Sequence, residues 1–233
     1  MNSTSLAIVL YMQKYSDRAS IVHAYTREGG RETFIVYGKR FGKNNLSAIL
    51  RPLSLVEIET SKPRLNQLPI INKANLHFIP KHLFADSPIY QTIVIFISEV
   101  LSRTLTHPLA EPQLFDYLAG FIERLDTTEK IQNIHLQFLL HLSTYLGIVP
   151  DISNDGQLLD LRSAELVATY PLHNDFLTEE ETSILKQLDT TTDIDINRAL
   201  RQSLLIKLCR YYEIHIPSFQ TPKSLQILFE CFD

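Results

Sequence analysis

Near Pro80 the hydrophobic pattern of this chain changes period, and no single layer of structure can satisfy both halves. Before it, β-branched and aromatic residues alternate with polar ones, as half-buried strands require. After it, apolar residues recur at three and four, as buried helix faces require. The spacing predicts strands over 5–12, 19–26, 31–38 and 53–60, and a fifth over 64–72 that Pro69 weakens. Gly29-Gly30 reads as a two-residue hairpin between the second and third. Beyond Pro80, helices are expected over 87–105, 111–126, 130–147, 178–188, 196–214 and 221–232. Pro88 and Pro112 stand at first helical positions, where a missing N–H costs nothing. Gly147 is a left-handed stop, and Thr178 with Glu181 forms a capping box.

Four or five short strands in about 80 residues make a small barrel or sandwich, and the OB-fold is one of the few barrels of that size. The expected class is therefore α+β: a small N-terminal β-barrel over 1–80, then an all-α helical domain over 81–233. Residues 148–177 carry Pro150, Pro171 and "SNDG" with no strong period, and read as an irregular insertion. The longest apolar run of the helical half, "IVIFI", is too short to span a bilayer. The run "LAIVLYM" lacks the basic start and cleavage site of a signal peptide. Cys209 and Cys231 are too few and too far apart for a disulfide framework. A soluble cytoplasmic protein is expected.

The net charge of −4 hides a division. Residues 1–80 hold eleven Lys/Arg against five Asp/Glu, a balance of +6; the other 153 hold eleven against 21, a balance of −10. Such asymmetry points to an anionic partner for the first half. Lys14 and Arg18 fall in the first strand connection, Arg27 and Arg31 bracket the Gly-Gly turn, and Lys39, Arg40 and Lys43 crowd one loop. Tyrosine and phenylalanine are interleaved with them, and Tyr15 and Phe41, in loops, are the stacking candidates. Cations beside rings suit a single strand, because every phosphate carries charge and every base has a face.

Chemistry other than binding finds no support. The loop "GKRFGKN" fails as a nucleotide cradle: three residues separate Gly38 from Gly42 where four are needed, and Asn44 follows Lys43 where a hydroxyl should bind magnesium. His135 and His141, six apart on one helix, face different ways, and no metal-ligand spacing appears among the eight histidines. Ser87, Ser163 and Ser203 lie in no nucleophile elbow. Glu179–Glu181 are first-turn acids that the helix dipole favours. Neither an enzyme, a cofactor nor a metal is expected.

The stretch "AIVLYMQKYSDRASIVHAYTREGGRETFIVYGKR" resembles the opening of RecO, the bacterial DNA repair and recombination mediator family. Thr26, Gly30, Gly38, Lys39 and Arg40 occupy its "T-x-x-x-G" and "G-x-[KR]-[KR]" places. "LRPLSLVEIE", "FLLHLSTYLGIVPDI" and the C-terminal "SLLIKLCRYYEIHIPSFQTPKSLQIL" resemble later elements in the same order. The resemblance implies an OB-fold followed by helices, binding of single- and double-stranded DNA, strand annealing, and work with RecR and with the single-stranded-DNA-binding protein SSB. Many members carry four zinc-ligating cysteines after the leucine-glycine helix; here "PDISNDGQLLDLRSAE" has none, so that segment must hold itself by packing. On the same footing Arg198, Arg201, Lys207 and Lys223, beside Leu204, Leu205, Leu208, Leu225 and Leu228, are candidates for docking the acidic, apolar-ended SSB tail. The rival reading is an OB-fold module that handles RNA or oligonucleotides without a repair role.

Overall fold

A computed structural model describes residues 2–37, 46–61, 65, 67–82, 87–128 and 130–231. The chain forms two compact units, one of Met1–Asp86 with Ile97–Thr127 and one of Ser87–Phe96 with Thr128–Asp233.

Five strands close the barrel of the first unit: β1 (Asn2–Ser16), β2 (Ala19–Thr26), β3 (Gly30–Tyr37), β4 (Leu55–Ser61) and β5 (Ile70–Leu76). Their order is β1-β2-β3-β5-β4, and β4 returns to β1. β3 and β5 meet in parallel at Ile35 and Ile70, while the other pairs are antiparallel. That order and the single parallel contact make it an OB-fold barrel. β1 can serve both neighbours because it is 15 residues long and its register shifts between Val9 and Tyr11, which bends it around the barrel. Alternation sends Ala7, Val9, Val22, Ala24, Phe34, Val36, Val56 and Ile58 inward. The one-turn helix α1 (Leu46–Ile49) adds Leu46, and Leu50 follows it into the same core.

Two expectations about this barrel are corrected. The fifth strand begins after Pro69, because a proline inside it would remove a ladder donor. The β2–β3 turn has three residues, Arg27 to Glu28 to Gly29, because Thr26 pairs with Gly30. Gly30 takes a positive φ of 69° there, and a Cβ on it would lie 2.2 Å from the Leu109 carbonyl oxygen. Only glycine lets the 105–111 connection pass so closely.

Helices begin where capping allows. They are α2 (Pro88–Thr104), α3 (Pro112–Thr127), α4 (Ile134–Tyr145), α5 (Glu179–Leu188), α6 (Arg198–His215) and α7 (Leu225–Cys231). Within the first unit, α3 lays Phe115 against Tyr25, ring centroids 6.3 Å apart, and Ser98 of α2 donates to the Leu10 carbonyl. In the second unit, α4 is buried from Ile134 through Leu140, as a helix apolar all round should be. Tyr212 of α6 donates to the Leu139 carbonyl at 2.7 Å, and Gln137 to the Leu188 carbonyl at 2.8 Å. The Thr178–Glu181 capping box opens α5, and Gly147 ends α4 with a φ of 69°.

Residues 148–177 contain more order than their sequence shows. β6 (Leu158–Asp160), β7 (Glu165–Val167) and β8 (Phe176–Leu177) form a small antiparallel sheet in the order β7-β6-β8. Leu158, Leu159, Leu161, Leu166 and Leu177 are buried in it. Arg162 and Arg210 both grip Asp175, at 2.7 and 3.0 Å. Packing and ion pairs hold the segment, as its lack of cysteines requires.

Candidate nucleic-acid interface

Strand alternation sets out the outer face of β1–β3 as a grid. Tyr11, Gln13 and Tyr15 share that face on β1; Tyr25, His23, Ile21 and Ala19 share it on β2; Arg31, Thr33, Ile35 and Tyr37 share it on β3. Register aligns them in rows: Tyr11–His23–Thr33, then Gln13–Ile21–Ile35, then Ala19 opposite Tyr37 at the open end. In the first row the Tyr11 and His23 rings stack with centroids 4.3 Å apart, and Thr33 bonds His23 Nδ1 at 3.1 Å. Burial and then the Arg31 charge hold the His23 imidazole below its usual range, so it stays neutral near pH 7. Toward the open end the face uncovers: Tyr37 is 43% exposed and Tyr15, in the β1 bulge, 67%.

The nine nucleic-acid candidates divide into three groups. Lys39, Arg40, Phe41 and Lys43 lie outside the described residues. Arg27 and Arg31 have partners within their own unit. Both carboxylate oxygens of Asp116 accept from the Arg27 guanidinium at 3.0 Å, which raises its pKa. Arg31 donates to the Ser102 and Leu105 carbonyls at 2.6 and 2.8 Å, completing the last turn of α2, and to the Tyr11 hydroxyl at 3.4 Å. It caps a helix, a role that no local sequence signal distinguishes from a phosphate contact. Lys14, Tyr15 and Arg18 gather at the β1–β2 connection and are exposed. Among the described residues Lys14 pairs with Asp17 alone, at 2.9 Å, with both side chains in water. Exposed pairs of that kind are weak and yield readily to another anion.

The four helical-unit cations also separate. Lys207 holds the Glu181 carboxylate at 2.6 Å, where Glu181 is 3% exposed. Burial raises the Glu181 pKa, but bonds from Lys207, Ser203 and the Thr178 N–H outweigh it and hold the carboxyl below its usual range. Removing the lysine would strand a buried charge, at a cost of about 3–5 kcal/mol. Arg201 donates to Asn133 Oδ1 at 3.0 Å and to the Ile196 carbonyl at 2.7 Å, tying α6 to the start of α4. Arg198 and Arg201 nevertheless line a small pocket together with Leu205 of α6 and Leu228 and Phe229 of α7. Lys223 is exposed just before α7. Of the expected leucines, Leu204, Leu205, Leu208 and Leu228 all belong to the core, and Leu225 is half-buried.

His135, which also lines the pocket, is fully buried, and burial followed by the Arg201 charge lowers its pKa to about 3. Among the described residues no three His, Cys, Asp or Glu side chains come together as a metal site. No helix there is long and apolar enough to cross a membrane.

Two family models match this chain: one described as Recombination protein O N terminal over residues 1–79, and one described as Recombination protein O C terminal over 86–160. The DNA repair protein RecO of Phocaeicola vulgatus is 33% identical over 241 residues, covering 100% of both chains. That of Azobacteroides pseudotrichonymphae is 31% identical over 236 residues, 97% of this chain and 98% of its own. That of Bacteroides fragilis is 32% identical over 243 residues, again 100% of both.

Proposed function

The chain belongs to the RecO family of DNA repair proteins, and from that premise we propose that it is a recombination mediator. In this reading the barrel binds single- and double-stranded DNA, complementary strands are annealed, and the protein works with RecR and SSB in the cytoplasm. It is a binding protein rather than an enzyme, and it needs neither nucleotide nor metal. The observation that carries the DNA-binding part is the exposed β1–β2 connection of an OB-fold barrel. Lys14, Tyr15 and Arg18 gather there, beside the strand face on which such barrels bind oligonucleotides.

The SSB part rests on the α6–α7 pocket. An acidic tail with an apolar end needs a basic rim over an apolar floor. The pocket there is lined by Arg198 and Arg201 with Leu205, Leu228 and Phe229, which is that composition. Lys207 has no place in this site, because its charge is engaged by Glu181.

Equilibrium binding of single-stranded DNA against salt tests the grip. With about four phosphates contacted, log affinity falls against log salt with a slope of about −3. Lys14→Glu combined with Arg18→Glu flattens that slope by roughly one to two. Binding indifferent to salt, or a slope unmoved by the double substitution, overturns the assignment.

A further inference from the structure

The outer grid of β1–β3 ends in a feature that charge alone does not account for. At the open end β1 carries Tyr15 and β3 carries Tyr37, and between them on β2 stands Ala19, 6% exposed, directly opposite Tyr37. Ser16 is the β1 partner of Ala19, and Tyr15 precedes it as the extra residue of the bulge; both tyrosine rings reach water, and the small Ala19 side chain lies between their strands. Rings two strands apart stand about 9.5 Å from one another at their backbones. A base inserted between two rings needs about twice the 3.4 Å stacking rise, roughly 6.8 Å. That backbone spacing leaves room for one flat base in the notch between the two side chains. Cations stand beside it. Arg18, in the turn that leads into Ala19, has no ion partner for its guanidinium among the described residues, and Lys14 is held only by the exposed Asp17.

We infer that Tyr15 and Tyr37 form a clamp that takes one unpaired base of single-stranded DNA over Ala19, with Arg18 and Lys14 on the flanking phosphates. The clamp rests on the DNA-binding reading above and adds to it the residues that distinguish single strands from duplex. Phosphate contacts alone treat both forms alike; a base must leave its partner to reach the notch. The neighbouring row supplies a floor, because Ile21 and Ile35 present half-buried aliphatic surface next to the rings. Neither tyrosine hydroxyl has a hydrogen-bond partner among the described residues, so stacking area is what each ring offers. Phenylalanine can replace either one.

The test is equilibrium binding of the full-length protein to a dT oligonucleotide carrying one 2-aminopurine, and to a hairpin duplex of matched length. Tyr15→Ala and Tyr37→Ala each weaken single-strand affinity roughly five- to hundredfold, the range of one lost base stack. Duplex affinity moves by less than about twofold, the scale expected when phosphate contacts are untouched. Stacking quenches the 2-aminopurine emission in the parent and in Tyr15→Phe and Tyr37→Phe, and the quench disappears in the alanine variants. Both rings are exposed, so circular dichroism of the variants matches the parent. Alanine variants that bind and quench like the parent overturn the clamp and leave the DNA-binding reading standing. Equal loss for single strand and duplex also overturns it, since the rings then make no distinction. A parent protein that binds neither DNA form overturns both.

Discussion

Gly30 and Gly147 have the same φ of 69°, yet alanine should be tolerated at one and not at the other. Alanine in the left-handed region costs about 1–2 kcal/mol. Roughly 0.4–1 kcal/mol of that returns through the stiffer unfolded chain. Nothing lies within 4 Å of a Cβ placed on Gly147, so Gly147→Ala should cost only the remainder, about 1 kcal/mol. At Gly30 the new methyl meets the Leu109 backbone, at 2.2 Å from its oxygen, 2.4 Å from its carbonyl carbon and 2.8 Å from its nitrogen. These are main-chain atoms that no rotamer change can move aside. Overpacking of that kind adds about 1–3 kcal/mol. Gly30→Ala should therefore lose about 2–4 kcal/mol in all, and the difference between the variants isolates the steric part. A difference near 2 kcal/mol corresponds to a midpoint shift of roughly 10 °C in a unit of this size. Thermal and urea unfolding followed by circular dichroism, with both variants beside the parent, measure it. Gly30→Ala no less stable than Gly147→Ala would show that the 105–111 connection does not press on the turn.

Two further outcomes follow from the helical unit. His135 is held neutral to about pH 3 by burial, so its folded pKa lies below that of the unfolded chain near 6.5. Its stabilising contribution is present above about pH 6.5 and is lost as pH falls toward 3. Unfolding free energy should drop by about 2 kcal/mol between pH 7 and 5, and His135→Gln should flatten that decline; a parent with no decline over this window contradicts the burial. Arg198→Glu at the pocket, combined with Lys223→Glu just before α7, should weaken an SSB tail peptide at least tenfold in fluorescence anisotropy, the loss of charge-assisted contacts of about 1.5–3 kcal/mol each. Single-strand affinity should hold within about twofold in that variant, and a peptide bound as by the parent refutes the docking.

Strand alternation made the barrel legible before any coordinates. The inward set from Ala7 to Ile58 follows a period of two, and proline and glycine marked the helix starts at Pro88 and Pro112 and the stop at Gly147. The small sheet was not legible, because strands of two and three residues have no period to read. α1 was missed for the same reason, being a single turn. The candidate site was legible as composition and not as geometry. Arg27, Arg31 and Lys207 look like free cations in sequence. Their partners lie far along the chain: Asp116 is 89 residues from Arg27, the Ser102 carbonyl 71 from Arg31, and Glu181 26 from Lys207. Only the tertiary fold brings those pairs together. Tyr37, by contrast, could have been found: Phe34 and Val36 point into the core, so alternation turns Tyr37 outward.

The mediator reading is tested most directly by annealing. Complementary DNA strands, bare or coated with SSB, are mixed with the full-length protein in EDTA and without nucleotide, and duplex formation is followed over time. The expected result is acceleration on both substrates, slowed by Lys14→Glu with Arg18→Glu, and slowed on coated strands alone by Arg198→Glu with Lys223→Glu. Failure to anneal either substrate, or a requirement for ATP or a divalent metal, would contradict it.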